Sequence, residues 1–272
     1  INDVARHLGV SWTFVKNIQK MYLKKHYGKP KSNNVRYLAI DEICTGKGYR
    51  YLTVVINAET GEVLFVGEGK SADSLNPFRK RLQRANANIE AVSIDMSKSY
   101  IKAITDNLPD SAIVFDHFHI IKLMNEKRAK LRRELFNEAT EVLDKKILKG
   151  TRWLLLKNPN KLSAEKGERE RLAEALKLNE SLALGYYLKE DLRQIWSQKD
   201  KATAKQVLYD WALRAQSSDV KVLQDMGRTL LGHATGILAW YDHRLTTAAL
   251  EGTNNKIKLI QRQAYGYRDY EF

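Results

Sequence analysis

The chain has 272 residues, of which 46 are Lys or Arg and 32 are Asp or Glu, giving a formal net charge of +14. At 43% hydrophobic and 29% charged it has the make-up of a folded protein of one large or two smaller domains, which excludes wholesale disorder. No apolar run approaches the roughly 18 residues of a membrane span, and a lone Cys44 excludes an internal disulfide framework or a Cys-rich zinc site. The charge excess points to a polyanionic partner, nucleic acid first, and to a cytoplasmic, nucleoid-associated setting. Because the chain opens at Ile1, directly in a helical pattern, an N-terminal part is expected to be missing.

Residues 2–9 pattern as a short helix ended by Gly9, and Ser11 offers its hydroxyl as the cap of a second helix over about 12–25. On that helix Phe14, Val15, Ile18, Met21 and Tyr22 fall at helical spacing, while Lys16, Lys20 and Lys24 form a basic stripe. A helix, a Gly turn and a capped basic helix make the pattern of a helix-turn-helix, whose second helix enters the major groove. A plain helical hairpin is the alternative. Residues 1–30 are therefore expected to be a DNA-binding segment with Lys16, Lys20 and Lys24 on the DNA, followed by a Lys-Pro-Lys-Ser-Asn-Asn linker at 29–34.

From residue 35 the period changes. Short β-branched and aromatic runs at 35–40, 49–56 and 63–66, with turns at Lys47-Gly48 and Thr60-Gly61, predict an antiparallel meander. A helix over 74–85, a buried strand at 91–94, a helix from 98 and a strand at 112–115 complete a mixed α/β sheet with helices on both faces. From His117 to about residue 245 the pattern is helical, interrupted by Pro159 alone, and reads as an all-α insertion. Trp153, Trp196, Trp211 and Trp240 are expected in its core, with one of them stacked on a flipped base as the alternative. The expected domains are 1–30, a catalytic core in two parts at 35–120 and 245–272, and the insertion at 121–244.

The basic residues fall in three clusters. The first spans 1–36, with eight Lys or Arg against Asp3 alone; the second is Lys122, Lys127, Arg128, Lys130, Arg132 and Arg133; the third is Lys256, Lys258, Arg262 and Arg268. A solvated helix face accounts for any one of them. Three together suggest a track for a phosphate backbone, which supplies affinity without reading sequence.

Three carboxylates carry the chemistry. Asp41 follows Tyr37-Leu38-Ala39-Ile40 and Asp95 follows Val92-Ser93-Ile94, so each is expected at the end of an apolar strand. Charges there are costly unless paired or bound to a cation, and oxygen-only ligands suit Mg²⁺ or Mn²⁺. Glu251 is the candidate third ligand, opening a helix whose Asn254, Asn255, Lys256, Lys258 and Arg262 suit DNA contact. Two ions about 3.5–4 Å apart would activate the attacking oxygen and stabilise the leaving oxygen of a phosphodiester.

The segments Tyr37 to Glu42, Ser93-Ile94-Asp95-Met96-Ser97, Phe115-Asp116-His117-Phe118-His119, Arg152 to Pro159 and above all Glu251 to Gly266 resemble the DDE transposases of the ISL3 insertion-sequence family, in order and along essentially the whole chain. The resemblance implies an RNase H-like fold interrupted by a helical insertion between its second and third acids. It implies Asp41, Asp95 and Glu251 as the catalytic and metal-binding triad, and an additional Asp116/His119 pair. His119 would contact the scissile phosphate or hold a catalytic carboxylate, or else be structural. It further implies two Mg²⁺ or Mn²⁺ ions, double-stranded DNA (element ends and target) as partner, a homodimer or larger assembly on DNA, and neither membrane nor nucleotide cofactor. Family members usually carry an upstream Cys-rich zinc segment, which this chain lacks.

Other motifs fail. Gly69-Lys70-Ser71 lacks the earlier Gly of a phosphate loop, since position 64 is Leu64. Ser-His-Asp hydrolysis lacks its nucleophile elbow. Two rival functions remain, a catalytically silent DNA-binding derivative of a transposase and an RNase H-like nuclease on RNA–DNA hybrids, and the helix-turn-helix pattern speaks against the second.

Overall fold

The computed structural model describes residues 1–28, 30, 34–46 and 50–264. The expected turn at Lys47-Gly48, most of the 29–34 linker, the end of the Glu251 to Gly266 segment and Arg268 lie outside them. Contacts divide the chain into two units, residues 1–111 with 246–272, and residues 112–245.

In the first unit, α1 (Asn2–Leu8) stops where Gly9 turns left-handed at φ 64°, a conformation that costs glycine little. The Ser11 hydroxyl then accepts from the Phe14 amide at 3.2 Å and caps α2 (Trp12–Tyr27). No residue of α2 is buried, and Phe14, Ile18, Met21 and Tyr22 are exposed.

The sheet begins with β1 (Tyr37–Gly46), β2 (Arg50–Asn57) and β3 (Val63–Glu68), antiparallel in turn, and continues with β4 (Ala91–Ile94), parallel to β1. A 3-10 turn at Ala72–Leu75 leads into α3 (Asn76–Arg84), α4 (Lys98–Asn107) follows β4, and α14 (Ala248–Gln263) returns at the end of the chain. The strand order within this unit is β3-β2-β1-β4, and the second unit opens with β5 (Ala112–Phe115).

Side-chain alternation assigns the two faces of β1. Leu38 and Ile40 point toward Leu75, Phe78, Leu82, Ala103 and Ile104 of the 3-10 turn, α3 and α4. Ala39 and Ile43 pack with Val54, Ile56 and Leu250, so α14 covers the opposite face. Leu250 is fully buried there; removing such a side chain from water contributes about 1.5–3 kcal/mol.

The observed β1 corrects one expectation. Asp41 does not end the strand but sits at its middle, because β2 stays paired with β1 as far as Gly46 whereas the parallel pairing with β4 is recorded only from Tyr37 to Ala39. Asp41 lies two residues beyond the pairing with β4 and inside the pairing with β2.

The second unit carries α5 (His117–Glu138), α6 (Val142–Gly150), α7 (Arg152–Leu156), α8 (Glu168–Leu178), α9 (Glu180–Leu192), α10 (Lys201–Gln216), α11 (Lys221–Gly232), α12 (Ala234–Leu238) and α13 (Trp240–His243). One cluster within it joins Leu148, Leu154, Leu155, Leu172, Leu182 and Tyr186.

The tryptophans do not share one fate. Trp211 is fully buried and donates from Nε1 to the Leu188 carbonyl at 2.7 Å, whereas Trp153 is 65% exposed on the five-residue α7. Trp196 and Trp240 are half-buried.

The second basic cluster is likewise divided. Arg128 is 3% exposed and donates to the Leu155 carbonyl, and Arg132 donates to that of Leu148. These two guanidiniums hold helix ends rather than phosphates. Burial pulls Arg128 down to about 10, which leaves it charged at neutral pH.

Gly236 in α12 lies against the Phe115 ring, where an added Cβ would stand 2.5 Å from two ring carbons. Gly236→Ala is therefore expected to cost about 1–3 kcal/mol by overpacking, measured by urea denaturation. A variant as stable as the parent would show that Phe115 yields freely.

Candidate active site

Asp41 and Asp95 come from adjacent parallel strands. Leu38 is opposite Val92 and Ala39 opposite Ser93, and continuing that register by two residues sets Asp41 opposite Asp95 just beyond β4. Each carboxylate is held by its own backbone: Asp41 Oδ1 accepts from the Glu42 amide at 2.8 Å, and Asp95 Oδ1 accepts from the Ser97 amide at 2.9 Å, ahead of α4.

Asp41 shares a face of β1 with Ala39 and Ile43, the face covered by α14. Leu250, Asn254 and Ile257, at helical spacing, form the inward side of that helix. Asn254 is 5% exposed, and its Nδ2 donates to Asp41 Oδ2 at 2.9 Å. This corrects the expectation that Asn254 contacts DNA, because its amide is committed inside the protein. Glu251 precedes Asn254 by three residues on α14, about one turn, and is exposed. Further along, the Gln261 amide reaches the Thr45 carbonyl and fixes the far end of α14 to β1.

Glu42 points to the face opposite Asp41, and sequence reasoning missed it. Its carboxyl is pushed above the usual range, first by burial and then by repulsion from Asp95 and Asp41. Nearby, the Tyr100 hydroxyl lies 3.0 Å from Thr53 Oγ1, which also donates to the Gly69 carbonyl at 2.9 Å. Burial is the main cause that pushes the Tyr100 phenol up, with Glu42 and Asp95 adding to it.

The donor chemistry fits a hard divalent cation. The available ligands are all oxygens, Glu42 lies near both aspartates, and Asn254 Oδ1 is buried without a hydrogen-bond partner. Among the described residues, however, no three Asp, Glu, His or Cys side chains converge closely enough to hold a metal ion. The two aspartates are juxtaposed by strand register, and Glu251 is tied to them only through its helix.

Asp116 and His119 lie in the second unit. Asp116 is 2% exposed and caps α5 by accepting from the Phe118 amide at 3.0 Å, with His117 Nδ1 3.3 Å from the same oxygen. His119 is half-buried, its ring edge-on to Phe118. Of the residues expected on DNA, Lys24, Asn255, Lys256, Lys258 and Arg262 are exposed, while Lys16 and Lys20 are half-buried and Lys16 lies over the Trp12 ring at 5.1 Å. No helix among the described residues is long and apolar enough to cross a membrane.

A family model described as "Transposase", of the ISL3-type DDE enzymes, matches residues 38–272. The transposase for insertion sequence element IS1001 of Bordetella parapertussis is 35% identical over 275 aligned residues, covering all of this chain and 67% of the relative. That for IS1557 of Mycobacterium tuberculosis is 30% identical over 259, covering 86% of this chain and 57% of the relative. Among solved structures, the Drosophila P element transposase strand transfer complex aligns with 89% of this chain and 69% of its own at 14% identity and a TM-score of 0.37, too low to bear on the fold.

Proposed function

The chain belongs to the ISL3 family of DDE transposases, and from that membership we propose that it cuts DNA at insertion-sequence ends and joins them to target DNA at a site formed by Asp41, Asp95 and Glu251. The observation that carries this reading is the strand register that brings the two aspartates side by side, with the helix bearing Glu251 bonded to Asp41 through Asn254. A strand order of β3-β2-β1-β4, with β1 to β3 antiparallel and β4 parallel to β1, supports an RNase H-like core, and the capped pair α1–α2 supports a helix-turn-helix.

The family relies on divalent cations, and Asp41, Asp95 and Glu251 are the residues that would hold them. A bound cation supplies charge neutralisation at the phosphate and lowers the pKa of the attacking oxygen. The chain's own contribution is position. The Glu42 and Asn254 donors hold the two oxygens of Asp41, and the Ser97 amide holds Asp95. In the first displacement a water oxygen bonds to phosphorus as the P–O3′ bond breaks, and the freed 3′ oxygen takes up a proton. In the second, that 3′-hydroxyl attacks a target phosphodiester in line, loses its proton, and releases a new 3′-hydroxyl. No covalent enzyme intermediate is involved.

Lys24, Lys256, Lys258 and Arg262 are solvent-facing cations suited to phosphate contact. If three phosphates are neutralised, duplex affinity falls roughly 40-fold between 50 and 200 mM salt, from a slope of about −0.9 per phosphate. Fluorescence anisotropy across that range measures the slope, and a flat response removes the DNA track. The enzymatic reading is tested on a plasmid carrying the element ends, with Mg²⁺, with Mn²⁺ and with EDTA. Metal-dependent nicking at the ends supports it. Tight binding without nicking in any metal would leave a DNA-binding relic.

A further inference from the structure

We propose that Asn254 is a positioning residue of the metal site, holding Asp41 in its ligating orientation and fixing to it the helix that carries Glu251. The inference rests on the metal-site reading above and deepens it.

Positions 250, 254 and 257 form the inward stripe of α14, and Leu250 and Ile257 pack on the sheet with Ala39, Ile43, Val54 and Ile56. An aliphatic residue would satisfy such a position. Instead an amide stands there, 5% exposed. Asp41 is an acceptor when ionised, so the atom facing it at 2.9 Å must be the amide nitrogen. The other atom, Oδ1, is then directed within the protein and has no hydrogen-bond partner. Packing alone does not explain a buried amide with one unsatisfied end.

The bond has a consequence for geometry. Asp41 Oδ1 is tied to the Glu42 amide and Oδ2 to Asn254, so the carboxylate plane is defined by one contact within its own strand and one from a helix 213 residues away. Glu251 lies one turn earlier on the same helix. A single side chain thereby sets the orientation of one proposed ligand and the approach of another. Partners of this kind, bonded to a metal ligand rather than to the metal, commonly change metal affinity about 10–100-fold when removed.

The test measures Mn²⁺ binding to the DNA-free chain by electron paramagnetic resonance, beside thermal melting in EDTA. Asn254→Leu keeps the volume and removes the unsatisfied oxygen, so its melting temperature in EDTA is expected within a few degrees of the parent. Its Mn²⁺ affinity is expected to be at least about tenfold weaker. Asn254→Asp sets a second carboxylate against Asp41. It is expected to melt lower in EDTA and to gain more from Mn²⁺ than the parent does, a response that a purely structural side chain would not give. Asp95→Asn is the control for the underlying reading. Loss of Mn²⁺ binding in Asp95→Asn with parental binding in Asn254→Leu overturns the role of Asn254 and leaves the metal site standing. Parental binding in Asp95→Asn overturns the metal site itself. If Asn254→Leu does not fold, the aspartate variant decides, and a Mn²⁺ gain no larger than the parent's overturns the proposal.

Discussion

Asp95→Asn is expected to lower strand cleavage by at least about 10³-fold while leaving duplex affinity within a factor of about three. Asparagine keeps the size of aspartate and an oxygen able to accept from the Ser97 amide, so the turn ahead of α4 survives. The negative charge is lost, and with it one of the two carboxylates that strand register sets side by side. Charge stabilisation by a bound cation is worth several kcal/mol in the transition state, and each 1.36 kcal/mol is tenfold in rate. The exposed cations of α2 and α14 are untouched, which is why binding persists. Parallel cleavage and anisotropy measurements on one protein preparation check the result. An equal fall in both would make Asp95 a structural residue and remove it from the site.

Trp211→Ala is expected to destabilise the second unit by about 3–5 kcal/mol, the range for deleting a fully buried large aromatic. The indole has no exposed surface, and its loss also removes the 2.7 Å hydrogen bond it donates to the Leu188 carbonyl. Trp211→Phe retains most of the volume and is expected to lose markedly less. Chemical denaturation followed by circular dichroism supplies both numbers. A loss below about 1.5 kcal/mol for alanine would mean that neighbouring helices collapse into the space. By contrast, Trp153→Ala, which removes a side chain that is 65% exposed, is expected to change stability by no more than about 0.5 kcal/mol.

The difference between those two tryptophans marks what the sequence left unread. Period and apolarity announced that both lie in helices, but burial depends on which face a neighbouring helix covers, and α7 is only five residues long. Arg128 stood in a basic run that reads as solvent-facing, yet the Leu155 carbonyl needs a donor and draws it inward. The strands bearing the aspartates were legible because Leu38, Ile40, Val92 and Ile94 are apolar runs with turn residues between them. The length of β1 was not, since its second half, Glu42 to Gly46, mixes the β-branched Ile43 and Thr45 with Glu42 and Gly46 and is held by pairing with β2. Asn254 left one signal that went unused, a polar residue between Leu250 and Ile257 on the inward stripe. Glu42 left another, because strict alternation along β1 already separates it from Asp41.

The discontinuity of the first unit also bears on how the protein is made. Asp95 and Glu251 are separated by 156 residues of sequence. At synthesis rates of about 5–20 residues per second, a nascent chain that has completed β4 waits roughly 8–30 s for α14 to be translated. Throughout that interval Ala39, Ile43, Val54 and Ile56 have no helix over them. The growing polypeptide therefore exposes an aggregation-prone apolar surface to the cell's chaperones until α14 has emerged to cover it.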